Sequence, residues 1–173
     1  MKHPISVFDK AGDICKAMKQ GILLTSGTME HHNTMTIGWG MIGVEWGKPI
    51  FVALVRESRF TRELLDKTGD FTVNIPWGDV DKNILGYCGT KSGRNLDKFA
   101  DLGLTAVESD QVSAPAIAQL PLTLECKVLH SQLQELREEV NPSVAKFYPL
   151  TGNGKRDLHI MYFAEILDSY IIE

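Results

Sequence analysis

Cysteine is scarce in this chain: Cys15, Cys88 and Cys126 stand far apart, and no CxxC pair is present. An odd number of widely spaced thiols excludes a disulfide framework and lacks the ligand spacing of a zinc or iron–sulfur site. Free thiols suit a reducing compartment, so a cytoplasmic protein is expected. No stretch approaches the ~18 uninterrupted apolar residues of a membrane span. The first residues, MKHPISVFDKAGD, lack the apolar run of a secretory signal. Positive charge is also lacking, since the formal net charge is −4, which argues against nucleic acid or an anionic membrane as a partner. There is no dinucleotide-binding GxGxxG unit and no visible catalytic triad. Glu30, His31 and His32 are adjacent in a turn, where side chains rarely converge on one ion, so no metal site is expected.

What is present is enough apolar content, 43% of 173 residues, to bury a continuous core in one domain spanning 1–173. Periodicity predicts a first helix over Asp9–Gln20 stopped by Gly21, then a short strand in GILLTSG. HNTMTIGWGMIGV, from His32 to Val44, reads as a second strand. A turn at Trp46–Pro49 joins it in a hairpin to IFVALV, a run long enough to be buried on both faces. Further on come a helix from about Ser58 to Thr68, a strand in DFTVNIPW, and short helices over Val80–Tyr87 and Leu96–Leu102 around the basic loop CGTKSGRN. The half-buried strand LPLTLECKVLH, a short helix in NPSVAKFYP and a long final strand DLHIMYFAEILDSYII complete the chain. Strands joined largely by hairpins, with helices bunched in the middle, favour a mainly β, antiparallel barrel over a doubly wound parallel sheet.

The strand from His32 to Val44 is odd. Met35, Ile37, Trp39 and Met41 alternate with Thr34, Thr36, Gly38 and Gly40, so the second face is almost empty. Either the glycines mark a barrel corner with tight packing, or a flat ligand lies on the hydroxyl and glycine face. The next hairpin strand ends in VRESRFTRELL, which gathers Arg56, Ser58, Arg59 and Thr61 where a helix begins. Unpaired first-turn amides at the positive end of a helix, with two guanidinium groups and two hydroxyls beside them, suit a phosphate. The competing reading is a simple helix cap, with the arginines solvated or paired to Glu57 and Glu63. Taken together, the two segments describe a planar ring with a phosphate tail.

NTMTIGWGMIGVEWGKPIFVALVRESRFTRELLDKTGDFTVNIP, then LGYCGTKSGRNLDKF and the terminal HIMYFAEIL, resemble the flavin reductase-like family of FMN-binding split barrels, most closely its flavoredoxin-like members. The resemblance implies a six-stranded antiparallel Greek-key barrel with peripheral helices, a homodimer, and one FMN per protomer near the subunit interface. It assigns Asn33, Thr34, Met35 and Thr36 to the polar edge of the ring. Arg56, Ser58, Arg59 and Thr61 fall on the phosphate, and Asn74 matches a strand-end asparagine of the site. Cys88, Gly89, Ser92, Arg94 and Lys98 lie in the loop expected to reach FMN phosphate or a nicotinamide cofactor. Ala164 stands where relatives often have glycine. His159 is open to a place near the flavin, but alone in an apolar strand it reads as a satisfied core histidine; Cys88 is open to redox activity beside a flavin, but without a resolving partner it reads as buried. Residues 132–155 are candidates for covering the site.

The implied activity is electron transfer from NADH or NADPH through flavin to a small acceptor, which needs no protein acid or base because the cofactor carries the chemistry. Two other readings compete: a flavoredoxin-like carrier passing electrons between protein partners, and a barrel dimer that serves only as a binding module.

Overall fold

The computed structural model describes residues 1–137 and 141–173. Among these residues ten strands and five helices follow in order. They open with β1 (Lys2–Pro4), α1 (Val7–Met18), β2 (Ile22–Gly27) and β3 (His32–Ile37). Next come β4 (Gly40–Glu45), β5 (Lys48–Arg56), α2 (Phe60–Thr68), β6 (Asp70–Ile75), α3 (Lys82–Thr90) and α4 (Lys98–Leu102). The chain closes with β7 (Ala106–Val107), β8 (Ala116–Ile117), β9 (Leu122–Leu133), α5 (Ser143–Phe147) and β10 (His159–Ile172).

Eight strands form one antiparallel sheet in the order β3-β2-β6-β9-β10-β5-β4, with β1 added along β10 and a separate β7–β8 pair nearby. The fold is thus mainly β, as expected, but the sheet does not close into a barrel: β3 and β4 are its two ends. The expected strand count of six becomes eight for two reasons. β1 is an extra short strand, and the segment read as one strand from His32 to Val44 is two, broken at Gly38 and Trp39. β3 pairs with β2, whereas β4 pairs with β5 through a hairpin whose turn residues Trp46 and Gly47 both have positive φ, 51° and 71°. That pair of left-handed residues is the geometry that matches the twist of the flanking strands.

The break explains the glycines. A Cβ on Gly40 would lie 2.8 Å from the Val52 carbonyl, 3.0 Å from Met18 Sδ and 3.2 Å from Phe51 Cζ. Its missing volume is therefore taken by the protein's own core, which is the packing reason. Gly38 differs: a Cβ there would meet only the Met18 carbonyl at 3.6 Å, and the residue is exposed.

One face of the sheet buries Ile22, Leu24, Met35, Phe51, Val73 and Leu124 against Ile14 and Met18 of α1. At about 1.5–3 kcal/mol for each large side chain, this face supplies much of the driving force. α1 begins two residues earlier than its apolar spacing suggests, because Ser6 caps it by accepting from the Asp9 amide. On the other face, Leu23 packs with Ile84, Cys88, Phe99 and Leu120 beneath α3 and α4. This second cluster holds α3 and α4 against β2 through Leu23.

Candidate flavin site

β5 delivers Arg56 at its end, and the turn after it places Arg59 as the N-cap of α2 with no side-chain hydrogen bond capping the helix. The first turn of α2, with no side-chain cap on its amides, therefore borders a cavity of about 200 Å³ that Arg59, Phe60 and Thr61 line. Its opposite wall comes from Asn33 on β3 and from Thr90, Lys91, Ser92 and Gly93 at the end of α3. Arg56, Ser58, Lys98 and Asp157 complete it. A second cavity of about 170 Å³ runs along Met35, Thr36, Ile37, Gly38 and Trp39, with Leu54 and His159 opposite. Arg56 and Arg59 line both cavities, so the two form one trough with a cationic end and a flatter, aromatic end.

Lys98 dominates the electrostatics of the cationic end. It is 3% exposed, and its Nζ donates to the Thr34 carbonyl at 2.8 Å and the Cys88 carbonyl at 2.9 Å. The ion pairs among the described residues do not include it. Burial pushes its ammonium below the usual lysine range, and the Arg59 charge acts the same way. A buried cation without a carboxylate is costly, and an anion in the adjoining cavity would offset that cost. Arg59 reaches across to donate to the Gly89 carbonyl at 3.0 Å, and Asn33 Nδ2 donates to Thr61 Oγ1 at 2.7 Å. A Cβ on Gly93 would lie 2.0 Å from Asn33 Oδ1, so a side chain there would have to displace the Asn33 amide.

At the aromatic end, Trp39 is 5.0 Å from the His159 ring and 5.3 Å from Phe147 between centroids. His159 Nδ1 lies 2.7 Å from the Tyr148 hydroxyl, which donates to Gln134 Oε1 at 2.7 Å. Burial, reinforced by Arg56, lowers the His159 pKa to about 4, so the ring is neutral at pH 7.

Most of the residues expected at the site converge here. Asn33, Arg56, Ser58, Arg59, Thr61, Ser92 and Lys98 line the cationic cavity, while Met35 and Thr36 line the second. Thr34 contributes its carbonyl to Lys98, and Gly89 its carbonyl to Arg59. Asn74 and Arg94 do not converge, and Cys88 joins only through its carbonyl, which accepts from Lys98. Asn74 is wholly buried between strands, accepting from Thr72 at 3.1 Å and Thr25 at 3.4 Å and donating to Thr123 at 3.1 Å. Its polar face is consumed by neighbouring hydroxyls, not by a ligand. The Cys88 side chain points into the second core cluster, and burial raises its thiol pKa to about 11, which makes it unreactive. Arg94 pairs with Glu63 and lies 5.4 Å from the Phe60 ring centroid. The chain order did not disclose Asp157, Trp39, Leu54 or Gly93 as lining residues, and His159, read as core, faces the trough. Of residues 132–155, Phe147 and Tyr148 stand at the aromatic end; 138–140 lie outside the described residues.

A family model for the flavin reductase like domain matches residues 16–172. The chain belongs to the flavin reductase-like family. A flavoredoxin of Desulfovibrio vulgaris superposes with a TM-score of 0.66 at 26% identity, covering 88% of this chain and 69% of that one. A flavoredoxin of Methanosarcina acetivorans gives 0.64 at 25% identity, over 88% and 68%. Among curated relatives, an uncharacterised protein of Archaeoglobus fulgidus is 33% identical over 107 residues, 62% of this chain and 59% of that protein. YddH of Escherichia coli is 32% identical over 111 residues, 62% of this chain and 58% of that protein. The matches therefore span about three fifths of the curated relatives. Within the family, the trough is the candidate flavin site.

Proposed function

We propose that this flavin reductase-like chain binds FMN in the trough and passes electrons from NADH or NADPH through it to a small acceptor. The observation that carries the reading is that Arg56 and Arg59 line both cavities, joining an anion site to a flat slot. The residues fit the group: Lys98 is a buried cation in need of an anion, the α2 amides and Ser58 supply donors, and Gly38 leaves the slot open where a side chain would intrude. Arg56, Ser58, Arg59 and the start of α2 would hold the phosphate. Asn33, Met35, Thr36 and the edge of β3 would border the ring. Bound there, FMN supplies hydride and single-electron transfer. The protein's part is to position it, to keep water from one side with Met35 and Leu54, and to favour negative charge with Lys98 and Arg59.

A second copy belongs to this reading. Met41, Val44 and Trp46 on and after β4 are exposed apolar groups, and we infer a homodimer across them. Residues 1–173 act as a single unit in this proposal. Among the described residues no helix is long and apolar enough to cross a membrane, and three free thiols suit the cytoplasm.

The flavoredoxin structures at 25–26% identity support a second reading, an electron carrier with tightly held FMN serving a redox protein partner. Stopped-flow mixing of the FMN-loaded protein with NADH or NADPH separates them. Rapid bleaching of the blue absorbance is expected for the reductase. Reduction by dithionite or a partner protein, but by neither nicotinamide, selects the carrier.

A further inference from the structure

Asp157 is the one carboxylate among the residues lining the cationic cavity. Its Oδ1 accepts from the Ser58 amide at 3.1 Å and its Oδ2 from the Ser58 hydroxyl at 2.7 Å. These are donors that the reading above gives to the flavin phosphate. The Asp157 carbonyl also accepts from Arg56 at 2.7 Å, while the same guanidinium donates to the Phe147 carbonyl at 2.9 Å and lies 4.9 Å from the Tyr148 ring centroid. The strap from Phe147 to Asp157 is thus latched at both ends to Arg56 and Ser58. Between the latches it is mostly exposed, with Leu150 64% accessible and residues 151–155 at the surface.

We propose that Asp157 is an internal competitor for the anion site, so that a phosphate group displaces its carboxylate from Ser58 and unlatches the strap. The inference rests on the phosphate reading of this cavity. A dianionic phosphate and the carboxylate cannot both use the Ser58 amide and hydroxyl, and their like charges repel across a few ångströms. The strap also carries Phe147 and Tyr148, which pack against Trp39 and His159, so freeing its Asp157 end loosens the cover of the aromatic end, while Arg56 on the Phe147 carbonyl and the Tyr148 hydroxyl on His159 and Gln134 still hold the other end. Occupancy of the phosphate site and access to the slot are therefore coupled, and the coupling is reciprocal.

Asp157→Asn keeps the shape and one acceptor but removes the charge. Fluorescence titration is expected to show FMN binding to D157N about tenfold tighter than to wild type, the scale of one charge-assisted hydrogen bond. Riboflavin, which lacks the phosphate, gains only from the freed strap, so its affinity should rise less than that of FMN. In wild type, added inorganic phosphate should speed tryptic cleavage at Lys146 and Lys155, read by mass spectrometry; D157N should be cleaved fast without it. Equal gains for FMN and riboflavin, FMN affinity unchanged, or phosphate protecting the strap would each overturn the inference while leaving FMN binding intact. A wild type that takes up neither FMN nor phosphate removes both this inference and the reading beneath it. Should D157N fail to fold, the phosphate arm on wild type decides.

Discussion

Replacing Arg59 by alanine separates ligand binding from structural support. Among the described residues, Arg59 makes one side-chain hydrogen bond, to the Gly89 carbonyl at 3.0 Å, from a half-buried position. Water can reach that carbonyl once the guanidinium is gone, so the loss in stability is about 1 kcal/mol. For a chain of this size that lowers the melting temperature by about 2–4 °C. The cost to an anion in the cavity is larger, because a charge-assisted contact is worth about 1.5–3 kcal/mol. That corresponds to roughly 10- to 150-fold in affinity. Arg59→Lys keeps the charge but loses the planar fork, and should fall between. Equilibrium titration of FMN fluorescence at low and moderate salt, beside calorimetric melting of the FMN-free protein, measures both quantities. A melt that drops by more than about 10 °C with affinity unchanged would refute the reasoning. Arg59 would then be a tie between α2 and the end of α3, not a ligand contact.

Asn74→Ala should have the opposite signature: about 1–3 kcal/mol of lost stability, since the buried Thr123 hydroxyl loses its donor while Thr25 and Thr72 keep their acceptors on Thr34 and Pro115, with FMN affinity of the folded fraction unaltered. Gly40→Ala should cost about 1–3 kcal/mol by overpacking against the Val52 carbonyl, whereas Gly38→Ala, facing open space, should melt close to wild type. Acidification tests His159. Its pKa near 4 lies below the unfolded value of 6.5, so between those limits the unfolded chain binds more protons. The stability it contributes is full above pH 6.5 and is lost as pH falls toward 4, at most about 3 kcal/mol, and His159→Gln should flatten that slope in pH-dependent denaturant melts.

How much of this was written in the chain depends on the range of each interaction. The Asn33–Thr36 segment and the Arg56–Thr61 cluster are local, and their residue types already imply donors for a polar edge and an anion. The hairpin at Trp46 and Gly47 is likewise a short-range signal. The break at Gly38 and Trp39 was not legible, because the alternation of large and small residues runs through it unbroken; only pairing with β2 on one side and β5 on the other divides the strand. Asn74 misled because a polar strand face looks the same whether a ligand or a ladder of threonines satisfies it. Asp157 meets Ser58 across 99 residues, and Lys98 meets Thr34 across 64, so neither contact leaves any periodic trace. Arg94 sits in the right loop, but Glu63 claims its guanidinium.

The most direct measurement is a titration of the purified protein with FMN and, separately, riboflavin, followed by flavin fluorescence and the visible spectrum. Saturation at one FMN per chain, with riboflavin bound at least about tenfold more weakly for want of the Arg56–Arg59 anion contacts, is the predicted result. Failure to take up FMN, or equal affinity for the two flavins, would contradict the assignment of the cationic cavity to the phosphate.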